Sequence, residues 1–124
     1  DLNLAAVLRG PLLNVSEDDL MAVAATRGAK SLWQSLREFS AEGAGGAPPS
    51  LYKSAFDYLS SWLARADFMT PFAMLSAMLN EPCPGSAVSG RRALWSRLGA
   101  DALDPVEELL NAAQNYSRRH APLV

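Results

Sequence analysis

The sequence predicts an all-α fold, an irregular bundle of about seven helices with no sheet. Three observations carry this reading. Apolar residues recur at three- and four-residue spacing through almost every run between breaks, and no run alternates apolar with polar residues between turns, as a half-buried strand would. The breaks are helix punctuation, with Ser, Thr or Asp before a run and Gly or Pro after it. Hydrophobic residues make up 49% and charged residues 19% of the 124, a balance that supports a buried core and excludes disorder.

The elements follow in order. Leu4, Ala5, Val7 and Leu8 place a first helix over 2–9, stopped by Gly10 and Pro11. After the connector PLLNV, Ser16 restarts the chain. Its hydroxyl can accept from the backbone N–H three residues on while the Asp19 carboxylate reaches back, a shortened capping box, and Glu17 and Asp18 suit the positive helix end. Leu20, Val23, Ala24 and Arg27 share one face of this second helix, which Gly28 ends. Ser31 caps a third, where Leu32, Leu36 and Phe39 form a stripe beside Trp33 while Arg37 and Glu38 face water. The stretch 41–50 concentrates Gly and Pro and reads as a flexible loop.

The longest periodic run, 51–68, puts Tyr52, Ala55, Phe56, Leu59, Trp62, Leu63 and Ala66 on one side, which we read as core, and leaves Lys53 and Asp57 to pair in solvent at four-residue spacing. Thr70 and Pro71 open a fifth helix lined by Phe72, Leu75, Met78 and Leu79, expected to be buried on most sides. A second flexible loop, 81–90, holds Cys83 between two prolines. Residues 91–98 form a short helix with Leu94, Trp95 and Leu98 inward, stopped by Gly99. Asp104, Pro105 and Glu107 read as cap, first-turn proline and capping-box acid of the last helix. Val106, Leu109, Leu110, Ala113 and Tyr116 then bury one face, Arg118, Arg119 and His120 complement the negative helix end, and Pro122 stops it.

Composition bounds the function classes. A net charge of -2 with a pI near 5.3 argues against a dedicated nucleic-acid-binding domain, so any DNA contact must be local. The single cysteine, Cys83, excludes an internal disulfide and a cysteine-based zinc site and fits a reducing compartment, with the cytoplasm as the expected location. No apolar run approaches the roughly 20 residues that span a bilayer, so no membrane is expected as partner. The chain starts directly on a helical pattern without an initiator Met, and we expect 1–124 to be a single helical subdomain cut from a longer protein.

No catalytic constellation is visible. The glycine clusters GAGG and PGS lack the Lys-Ser or Lys-Thr that a phosphate-cradling loop requires. His120 and Cys83 are too far apart in sequence and context to suggest a metal centre. The neighbouring carboxylates Asp18 and Asp19, like Glu107 and Glu108, diverge on a helix and suit its start better than acid-base work. No GxSxG turn presents a serine nucleophile. Trp33, Trp62 and Trp95 each fall on an apolar stripe, which reads as core packing before base stacking. We therefore expect no catalytic residue, no metal ligand and no cofactor site within these residues.

In its surroundings, LAAVLRGPLLNVSEDDLMAVAATRGAKSLWQSLRE resembles part of the AddA family, the UvrD-like helicase-nuclease subunits of bacterial double-strand break repair. SLWQSLRE, WLARADFMTPF and SRLGADALDPVEELLNAAQNY carry the resemblance on, almost end to end, whereas the two Gly- and Pro-rich loops depart from it. The resemblance implies the helical insertion known as subdomain 2B, a non-catalytic accessory unit that contacts duplex DNA or regulates the motor. It implies a parent that uses ATP and Mg, RecA-like motor domains in the same chain, and a partner nuclease subunit of the AddAB type. Duplex gripping needs only a few sequence-independent cations. Arg91, Arg92 and Arg97, on one short helix without an intervening acid, are the candidates, and their alternative is an ordinary solvated helix face. The rival for the whole chain is a free-standing helical protein-protein interaction module.

Overall fold

The computed structural model describes residues 2–25, 28–42 and 49–119. Among them the chain forms seven α-helices and no sheet: α1 (Leu2–Arg9), α2 (Glu17–Ala25), α3 (Leu32–Glu42), α4 (Pro49–Ala66), α5 (Pro71–Asn80), α6 (Gly90–Leu98) and α7 (Leu103–Arg119), with a 3-10 turn over Ala100–Ala102. This is the all-α bundle that the periodicity predicts. No described helix is long and apolar enough to cross a membrane. Within the predicted 41–50 loop, 43–48 lie outside the described residues, as do Arg27, His120 and Pro122.

The helix starts are built from local side chains. Asp19 N–H donates to Ser16 Oγ at 3.1 Å, and the Ser16 hydroxyl donates to the Asp19 carboxylate at 2.9 Å. At α3 the box is complete, with Gln34 N–H on Ser31 Oγ and Ser31 N–H on Gln34 Oε1, both at 3.2 Å. Thr70 Oγ1 accepts from Ala73 N–H at 3.1 Å ahead of Pro71. Each contact satisfies a donor that the helix itself leaves open. The last helix departs from its sequence signature: α7 begins at Leu103, so Asp104 and Pro105 lie inside its first turn and Asp104 is no cap. The 3-10 turn leads the chain in, and Pro105 falls where an N–H has no intrahelical partner to lose.

Two packed halves meet along the connector 10–15. In the first, α1 to α4 close around Leu8, Leu13, Val23, Leu36, Tyr52 and Ala55. Trp33 stacks on Phe56 with ring centres 4.8 Å apart, and Phe39 meets Tyr52 edge-on at 5.6 Å. Later residues of α3 thus meet earlier residues of α4, which makes the pair an antiparallel hairpin. Two polar side chains there find backbone partners: Tyr52 donates to the Asp19 carbonyl and Ser35 to the Val23 carbonyl, both at 3.2 Å. In the second half α5 packs against both α6 and α7. Its packing is looser, leaving an apolar cavity of about 210 Å³ lined by Leu12, Leu75, Met78, Leu94, Val106 and Leu110 among others.

Adjacent leucines of the connector serve different halves. Leu13 is buried in the first core, while Leu12 lines the cavity of the second. Asn14, at φ 55°, takes a left-handed turn between Leu13 and Val15, both buried in the first core, a conformation that Asn tolerates better than most side chains. Gly85 N–H donates to the Leu12 carbonyl at 2.8 Å, so the predicted 81–90 loop is pinned to the connector. From α4, Arg65 forks onto Glu81 at the end of α5 through bonds of 3.0 and 2.9 Å.

Several residues read as core lie at the surface instead. Leu63 and Ala66 on α4, Trp95 and Leu98 on α6, and Leu109 and Tyr116 on α7 are exposed. The second half has three helices, and α5 offers α6 and α7 a single shared neighbour, so only one side of each finds cover.

Candidate nucleic-acid interface

The candidate arginines sit on α6, whose placement is set by small residues. Ser89 Oγ accepts from Arg92 N–H at 3.1 Å and starts the helix, and Gly99 N–H on the Trp95 carbonyl at 2.8 Å ends it. Gly90 and Ala93 are buried on its inner side, so α6 lies close against α5.

The structure does not bring the three arginines together. At about 100° per residue, Arg91, Arg92 and Arg97 leave the helix in three divergent directions. Arg91 reaches α7, where its Nη1 donates to Glu107 Oε1 at 3.0 Å. Arg97 turns to the connector, where Nη1 donates to the Arg9 carbonyl and, at 3.4 Å, to Asn14 Oδ1. It thereby places a cation on the negative end of α1, a structural task. Arg92 is exposed, and its guanidinium has no hydrogen bond or ion pair among the described residues. One cation of the three is thus left for a ligand. Arg118 and Arg119 sit exposed in the last turn of α7, in the dipole-complementing position expected of them.

Trp95 corrects the expectation of core packing. It is 50% exposed, while Trp62 is 5% exposed and Trp33 half-buried against Phe56. With Gly90 and Ala93 taking the inner side and Leu94 lining the cavity toward α7, the indole is rotated outward. A depression of about 240 Å³ opens beside it, lined by Val88, Ser89, Arg91 and Arg92.

No protein-family model matches the chain, and neither the curated proteins nor the solved structures give a match.

Other polar groups have structural tasks. Lys30 with Glu38 and Lys53 with Asp57 are exposed pairs, which contribute little to stability. Among the described residues no three His, Cys, Asp or Glu side chains gather as metal ligands would. Cys83 is a buried free thiol. Near it the Tyr58 hydroxyl is buried without a hydrogen-bond partner among the described residues, and burial pushes the phenol pKa up. Glu81 is held below the usual carboxylate range chiefly by its hydrogen bonds to Arg65.

Proposed function

We propose that the chain is a non-catalytic accessory subdomain of an AddA-type helicase-nuclease, of the 2B kind, that contacts duplex DNA through its backbone phosphates. In this reading ATP and Mg serve the RecA-like motor domains of the parent, the nuclease partner is a separate subunit, and the assembly works in the cytoplasm. The observation that carries the proposal is the resemblance of LRGPLLNVSEDDLMAVA, the stretch that holds the connector between the halves. The free guanidinium of Arg92 supports it as a phosphate contact.

Two outcomes test it. The purified chain should hydrolyse no nucleotide and cut no DNA, and turnover that survives removal of contaminants contradicts the non-catalytic reading. It should bind duplex weakly and without sequence preference. Arg92→Gln should weaken that binding equally across sequences and flatten the logarithmic salt dependence by about 0.9. Arg91→Gln and Arg97→Gln should instead act on stability, because their guanidinium groups are engaged within the fold. Unchanged duplex affinity and salt dependence in Arg92→Gln overturns the assignment. A protein-interaction module is the second reading, favoured by the exposed Leu98, Leu109 and Tyr116 on α6 and α7.

A further inference from the structure

We infer that the depression beside Trp95 binds an unpaired nucleotide of single-stranded DNA, with the base stacked on the indole and its phosphate held by Arg92. The inference rests on DNA being the partner, as proposed above, and adds a base-recognition site to the phosphate contact. On α6 Trp95 falls between Arg91 and Arg92, which diverge by about 100° and bound one outer arc of the helix, and Val88, just before the Ser89 cap, closes the depression at its start. That face is the one Gly90 and Ala93 turn away from α5. A half-exposed indole is a large apolar surface in water, and the π-face of any base can cover it, which makes such stacking tolerant of sequence.

The chemistry of the lining fits a nucleotide. It contains two cations, one aromatic ring and one hydroxyl, and no acid. Arg91 is held by Glu107, which fixes one wall, while Arg92 keeps its donors for a phosphate. Ser89 Oγ accepts from Arg92 N–H, so its own O–H remains to donate to a base carbonyl. A base inside a duplex is stacked on its neighbours and cannot lie on the indole, so the ligand must be unpaired.

The test is a titration of the chain with an oligothymidylate of about ten nucleotides, followed through tryptophan emission at low salt, with a duplex titrated in parallel. Wild type should show quenching of Trp95, the most exposed of the three tryptophans. Trp95→Ala should weaken single-strand binding about tenfold or more, and Trp95→Phe, which keeps a ring, by less than about threefold. Arg92→Gln should weaken it and flatten the single-strand salt dependence by about 0.7. Thermal melts of the Phe and Gln variants should match wild type, since both side chains reach solvent. Equal single-strand affinity in wild type and Trp95→Ala overturns the site. So does the absence of quenching while an acidic amphipathic peptide binds in a Trp95-dependent way, which makes the depression a protein-docking surface. Loss of single-strand binding with Arg92-dependent duplex binding intact overturns this inference alone, whereas single-strand binding without duplex binding overturns only the duplex reading.

Discussion

Truncating Trp62 to Ala should lower stability by about 3–5 kcal/mol, the usual cost of emptying a buried indole site. Trp62 is 5% exposed and lies four residues before the end of α4. It meets Tyr58 edge-on at 6.1 Å, and the Arg65 guanidinium lies 4.1 Å above its ring. Removing it therefore opens a cavity and also loosens the guanidinium that joins α4 to Glu81. The pH dependence reports the second effect. Arg65 keeps the Glu81 carboxyl below its ordinary range, so the stabilisation from that pair is present above the unfolded carboxyl pKa and is lost as pH falls through the lowered folded value. The stability gap between wild type and Trp62→Ala should narrow over that same acid interval. A denaturant melt showing a change below about 1 kcal/mol near neutral pH would contradict the anchoring role.

What was legible in the sequence was local. Ser16, Ser31 and Thr70 find their backbone partners three residues away, so each helix start could be read from its own neighbourhood. Trp62 was legible as well, because it continues the three- and four-residue stripe of α4 and meets Tyr58 four residues earlier on the same helix. The errors concern which side of a helix meets a distant neighbour. Trp95 and Leu98 match an inward stripe, but the inner side of α6 is decided by the contact of Gly90 with α5, and nothing near α6 in sequence announces it. Arg91 and Arg97 look as free as Arg92 until Glu107 and the end of α1 are placed beside them. Asp104 carries a cap signature, yet the preceding 3-10 turn begins the helix earlier. The outward Trp95 had one readable signal, a helix whose small residues, Gly90 and Ala93, sit three apart and compete with it for the inner side.

Gly85→Ala and Gly90→Ala should each destabilise the chain by about 3 kcal/mol, the upper end of what overpacking costs, because the atoms in the way are backbone and cannot swing aside. A methyl on Gly85 would stand 2.1 Å from the Pro11 carbonyl oxygen and 3.1 Å from that of Leu12. The 81–90 turn would have to lift from the connector, breaking the bond from Gly85 N–H to Leu12. A methyl on Gly90 would stand 2.1 Å from the Met78 carbonyl oxygen and 3.0 Å from Leu12 Cδ2, and α6 would have to leave α5. Gly28→Ala is the comparison. No described residue approaches its Cβ position within 4 Å, so its left-handed backbone, at φ 59°, is the source of strain, at about 1–2 kcal/mol. The measurement is the urea midpoint, read together with amide exchange. Both seam variants should lose protection in α6 and α7 while the Tyr52 region of α3 and α4 keeps it, since the first core closes without the second half. If either seam variant melts within about 0.5 kcal/mol of wild type, or if protection falls evenly across both halves, the connector is not the seam between two separately packed units.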